Sequence, residues 1–209
     1  MSTADSNEEV HERNWEVRFG ITLAIFAAAL AINDLGAGKF GDDEIKEVNE
    51  KSNTYMWYQS KGIKETLAEG QRDLIHTLLK AGAIAADKEA ELQQVASKLS
   101  AQVDRYKKEK QEILLGSAAV GKEHWVQEID GKLGQVVGSK EREKVIERLS
   151  AAGDIFDFGT LCLQLCMVLG AIGLLLKIPQ GRKLTFATII TLGVVGTLFC
   201  LRAYATVLL

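Results

Sequence analysis

"IFDFGTLCLQLCMVLGAIGLLL", residues 155–176, decides the fold. Asp157 lies near one end of it and Gln164 inside. A membrane helix crosses roughly 30 Å of hydrocarbon at ~1.5 Å per residue, which takes about 20 apolar residues. "LTFATIITLGVVGTLFCLRAYATV" (184–207) meets the same requirement, with Arg202 late enough to snorkel. "FGITLAIFAAALAINDLG" (19–36) loses its uninterrupted apolar character after Ile32, but Trp15 and Arg18 precede it as an interfacial anchor would. The acidic leader "DSNEEVHER" is the wrong flank for a cleaved signal peptide, so a retained helix is expected.

Between these runs the chain is polar. Of its 25 basic and 28 acidic residues, most lie in 37–154, and its single proline, Pro179, lies outside that stretch. The expected fold is therefore an all-α membrane protein with three transmembrane helices. Its parts are an N-terminal tail (1–18), helix 19–36, a helical, coiled-coil-like extramembrane domain (37–154), helix 155–176, a short basic loop (177–183) and helix 184–207. The loop "KIPQGRK" carries Lys177, Arg182 and Lys183 without an acid, which by the positive-inside rule places it and the N-terminus in the cytoplasm and 37–154 outside. A net charge of -3 offers no basic footprint for nucleic acid.

Helices in lipid associate through small side chains. One face of the second span carries Gly159, Cys162, Cys166, Gly170 and Gly173, and the third carries Gly193, Gly196, Cys200 and Ala203. The first offers Ala24, Ala28 and Ala31, and Gln164 is expected to hydrogen-bond between helices. Cys162 and Cys166 share a face as metal ligands could, but no His or acid completes a site, so packing is the expected role and no metal or cofactor is assigned.

In the polar middle, Ile63, Leu67, Leu74 and Leu78 recur at helical spacing, and the Gly82 region marks a turn. Leu92, Val95, Leu99, Tyr106 and Ile113 form a heptad-like seam broken by Gln102 and Glu109. A third helix is expected over about 122–150, interrupted by Gly131, Gly134 and Gly138. Tyr55, Trp57 and Tyr58 form an aromatic group suited to helical packing or subunit contact.

"GSAAVGKE" (116–123) comes close to a phosphate-cradling loop, G-x-x-x-x-G-K followed by a hydroxyl residue. The hydroxyl that would coordinate Mg²⁺ is replaced by Glu123, which would repel a nucleotide. The preceding "DRYKKEKQEILL" reads as a charged helix instead of the strand such a loop must follow, so Gly116 is expected as a helix stop. His11, His76 and His124 are scattered, and G-x-S-x-G does not occur.

Two blocks, "SNTYMWYQSKGIKETL" (52–67) and "FDFGTLCLQLCMVLGAIGLLLK" (156–177), resemble the uncharacterised bacterial membrane proteins called domain of unknown function 4337. The matching residues are Ser52, Trp57, Tyr58, Gln59, Lys61, Ile63, Lys64, Phe156, Asp157 and Gln164; the glycines of 116–140 depart from the continuous charged helix that the resemblance implies. It implies one span, a long charged helical region and a span pair in a bacterial inner membrane, with no activity to transfer. The expected function is a non-enzymatic, self-associating scaffold or docking module whose partners are membrane lipid and further copies of itself. The alternative is a subunit of an oligomeric channel or transporter using Gln164, Asp157 and the third span's threonines.

Overall fold

The computed structural model describes residues 3–208 and the side chains of residues 13–208. The side chains of His11 and of most of the acidic leader lie outside the described residues. The helices are α1 (Thr3–Lys80), α2 (Glu89–Leu115), α3 (Ser117–Val120), α4 (Ser139–Leu175) and α5 (Pro179–Leu208). A short antiparallel ribbon pairs β1 (Glu128–Ile129) with β2 (Lys132–Leu133). The protein is all-α, and α1, α4 and α5 are each long and apolar enough to cross a membrane.

Asn33 and Asp34 end the first apolar run without ending its helix, because nothing before Pro179 removes a backbone donor. The stop comes at Gly82, where φ is +64°. There Gly82 N–H donates to Leu79 O and Ala83 N–H to Leu78 O, closing the helix in a Schellman motif.

The chain forms two compact units, one from Met1–Glu44 with Glu147–Leu209 and one from Ile45–Ile146. The first is a three-helix bundle, and it takes in helical turns that the sequence assigned to the extramembrane domain. Phe40, Leu149 and Ala152 lie in its core with Phe156, Cys200 and Ala203. Phe19, Phe26, Leu163, Cys166 and Ile189 form a second core cluster. The linker between α4 and α5 is shorter than the expected 177–183, because Pro179 already opens α5. Arg182, in the first turn of α5, donates through Nε to Leu176 O and so satisfies a carbonyl at the end of α4.

In the second unit α1 and α2 pair antiparallel: Glu65 meets Lys110 at 2.9 Å and Glu69 meets Lys107 at 3.3 Å. The buried positions of α2 are Ala96, Val103, Glu109, Glu112 and Ile113, with Leu92, Leu99, Tyr106 and Lys110 half-covered beside them. Val95 and Gln102, expected in this seam, face outward. Ala96 and Val103 are buried in their place, while Glu109, also expected in the seam, is buried and meets Lys61 of α1.

The expected helix over 122–150 does not form as one piece. A 3₁₀ turn (Lys122–His124) and the ribbon occupy its first half, and α4 starts at Ser139. Asp130 (φ 51°) and Gly131 (φ 75°) occupy the two-residue ribbon turn, which requires positive φ at both positions.

Candidate functional site

The glycines of the bundle are contact points between helices. A Cβ on Gly193 would lie 2.3 Å from the Phe26 ring, on Gly173 2.5 Å from Phe19, and on Gly170 2.2 Å from Leu23. These three glycines therefore receive side chains of α1. Gly159 and Gly196 face each other: a Cβ on either would come within 3.3 Å or 3.1 Å of the other's carbonyl oxygen. Such close backbone approach gains dispersion contact between α4 and α5. Cys162, Cys166, Cys200 and Ala203 are also buried, and Cys166 Sγ lies 3.2 Å from Ile189 O. The small-residue faces predicted for α4 and α5 thus pack within the chain, whereas Ala24, Ala28 and Ala31 of α1 are exposed and α1 meets these notches with Phe19, Leu23 and Phe26 instead.

Two aromatic groups hold the ends of this bundle. Phe40, Phe156 and Tyr204 bring one ring from each helix, with Phe156 and Tyr204 edge-to-face at 5.2 Å. At the other end Phe186 sits edge-on to Phe19 at 5.1 Å and to Trp15 at 5.6 Å. Phe19 and Phe40 are separated along α1 by ~30 Å at the helical rise of ~1.5 Å per residue, the thickness of a bilayer core. Tyr204 OH donates to Ile32 O at 3.0 Å, an approach that the absent side chain of Gly36 permits.

The polar group inside the bundle is Asn33, not Gln164. Asn33 is fully buried, and its Nδ2 donates to Thr160 Oγ1 at 2.6 Å and to Phe156 O at 3.0 Å. Thr160 in turn donates to Asp34 Oδ1 at 3.2 Å. Gln164, Asp157 and Arg202 are exposed. In α5, Thr188, Thr191, Thr197 and Thr206 each donate to the carbonyl four residues earlier, which satisfies their hydroxyls inside their own helix. Asn33 was legible only as a polar interruption, and the interruption is a cross-helix hydrogen-bonding point.

Tyr55, Trp57 and Tyr58 point three ways. Tyr55 is exposed, Tyr58 lies beneath Lys110 Nζ at 5.1 Å, and Trp57 lines a hollow with Ile129, Val136 and Arg142. The α1–α2 seam is partly ionic. Glu109, buried, meets Lys61 at 2.6 Å and Arg105 at 2.8 Å. The hydrogen bond from Lys110 to Glu65 raises the Lys110 pKa above its ordinary value, overcoming the desolvation that opposes it.

The stretch 116–123 forms no phosphate cradle. Gly116 (φ 93°) ends α2, as expected, and opens the four-residue α3. The neighbouring backbone donors are consumed by a carboxylate of the chain itself. Buried Glu112 accepts from Val126 N–H and Gln127 N–H through Oε2, both at 2.9 Å, and from Ser117 Oγ at 2.7 Å through Oε1. Ser117 Oγ accepts from Val136 N–H, and Trp125 Nε1 donates to Ser117 O. A Cβ on Gly121 would lie 2.7 Å from the Glu123 carboxylate, so negative charge occupies the space beside the second glycine. Glu112 escaped the sequence reading because it looks like any other surface acid of a charged helix.

Among the described residues, no three His, Cys, Asp or Glu come together as a metal site. The class defined by this architecture is an all-α protein with three helices of membrane-crossing length and a second helical unit between the first two. The chain belongs to the family described as domain of unknown function (DUF4337), which matches residues 15–206. No curated protein and no solved structure matches it.

Proposed function

We propose that this chain is a multi-pass protein of the bacterial inner membrane, acting without catalysis as a self-associating scaffold or docking module. One observation carries the reading: the bundle's outer surface is largely apolar. Ile21, Ile25, Phe158, Leu161, Val168, Leu198 and Leu201 are all about half exposed or more. Only about a fifth to a third of each apolar window is covered within the chain (22%, 33% and 22%). An exposed apolar surface of this extent is met by lipid or by other membrane helices. The reading places the N-terminus and the α4–α5 turn in the cytoplasm, with Ile45–Ile146 outside as an antiparallel coiled coil carrying the ribbon lobe. Fractionation of untagged protein tests it: recovery in the detergent-free soluble fraction would remove the membrane reading. Native mass in nanodiscs tests self-association.

The second reading is a channel built between copies. Asp157 and Gln164 lie seven residues apart on the outward face of α4, where a second copy could pack. The satisfied hydroxyls of α5 give it no support within one chain. Liposome flux abolished by Gln164→Leu would favour this reading, and no flux would dismiss it.

A further inference from the structure

The outward face of α1 in the second unit has an unusual composition. At 100° per residue, Ile45, Ser52, Met56, Ile63, Gly70 and Leu74 lie within ~20° of one line. The bordering positions 48, 49, 59, 60, 66, 67, 77 and 78 hold only apolar or neutral polar residues. The face therefore carries no charge over 34 residues (45–78), about 50 Å at the helical rise. Every charged residue of this segment lies on the remaining circumference, where Lys61, Glu65 and Glu69 meet α2. The face is open: Ile45, Met56, Ile63, Leu67 and Leu74 are 60–70% exposed.

We infer that this charge-free face of α1 is a homodimer interface, in which it packs in parallel against the same face of a second copy of the chain. The inference rests on the proposed membrane insertion, which gives all copies one orientation and makes their α1 helices run the same way. A two-fold axis along parallel helices sets each position against its own copy. Any charge on the face would then meet an identical charge, which is destabilising. A face without charge over its whole length meets that condition. A non-identical protein surface is more often selected by opposite charges, the device that this chain uses between α1 and α2. A helix lying on lipid headgroups would be bordered by Lys or Arg, and here the borders are neutral. With Val48 and Leu78 the face presents seven large apolar side chains. At ~100 Å² each they offer on the order of 700 Å², close to the ~800 Å² that one partner contributes to a stable interface.

The test is cysteine cross-linking of the full chain in native membranes with a short bis-maleimide. The unaltered chain, whose Cys162, Cys166 and Cys200 are buried, serves as the blank. Ser52→Cys, Ile63→Cys and Gly70→Cys should each give a covalent homodimer, and Lys98→Cys on the exposed side of α2 should not. The double variant Ile63→Glu/Leu67→Glu should lower the dimer fraction at least tenfold in nanodiscs. Cross-linking at only one of the three positions, or into a different protein, overturns the parallel homodimer. A dimer that survives the double variant without cross-links at 52, 63 and 70 also overturns it, and leaves self-association through the spans standing. A monomeric unaltered chain overturns both.

Discussion

Asn33 and Thr160 meet at 2.6 Å, Nδ2 to Oγ1, and tie α1 to α4 in the interior of the three-helix bundle. Thr160 passes the interaction back to α1 through Asp34. Interhelical hydrogen bonds of this kind contribute about 0.6 kcal/mol on average and up to ~1.7 kcal/mol. A double-mutant cycle of Asn33→Leu and Thr160→Val, read by reversible unfolding in mixed micelles, should give a coupling energy in that range. Strictly additive effects would show that the two side chains do not act together.

The glycines divide into two groups with opposite expected responses to alanine. Gly193→Ala places a methyl group 2.3 Å from the Phe26 ring and should destabilise by about 1–3 kcal/mol through overpacking. Gly38→Ala meets nothing within 4 Å and should be neutral or stabilising, since alanine favours the helix by up to ~1 kcal/mol. Thermal unfolding in detergent compares them, and equal effects would mean that Phe26 does not occupy the Gly193 notch.

Glu112 holds the lobe that follows α2. Glu112→Ala strands the N–H groups of Val126 and Gln127 and the hydroxyl of Ser117, and unsatisfied buried donors cost about 1–3 kcal/mol each. Hydrogen exchange should show lost protection at Val126, Gln127 and Val136 while the α5 amides stay protected. Unchanged protection at those three amides would contradict the assignment.

Two ion pairs have pH dependences of opposite sign. The hydrogen bond and charge of Lys51 lower the Glu143 pKa below its ordinary 4.5, so this pair's contribution is present above that value and disappears as acid titrates the folded carboxylate. Glu65 raises the Lys110 pKa above 10.5, so that contribution is present below 10.5 and disappears as alkali titrates the folded amine. Lys51→Met should return the Glu143 titration, followed by NMR, upward to its ordinary range. An unmoved midpoint would remove Lys51 as the cause.

The apolar segments, their helical state and the stops at Gly82 and Gly116 were legible in the sequence because each is local. Apolar length is counted along the chain, and a helix ends where a backbone can turn to positive φ. The ribbon was also written locally, in the Asp130–Gly131 pair, but the helical spacing of Trp125, Ile129, Leu133 and Val136 suggested a helix instead.

Which face of each helix meets which neighbour was decided only by the tertiary structure. Ile63, Leu67 and Leu74 mark the apolar face of α1, yet Lys61, Glu65 and Glu69 are the residues that face α2. Periodicity identifies the apolar side of a helix but not whether an opposite charge waits across from its polar side, and here α2 supplies Glu109, Lys110 and Lys107. Likewise composition marked both Asn33 and Gln164 as polar groups in apolar runs, and only the rotation of α1 and α4 about their axes turned Asn33 inward and Gln164 outward. A single chain dictates its own helices; the pairing of their surfaces depends on atoms distant in sequence.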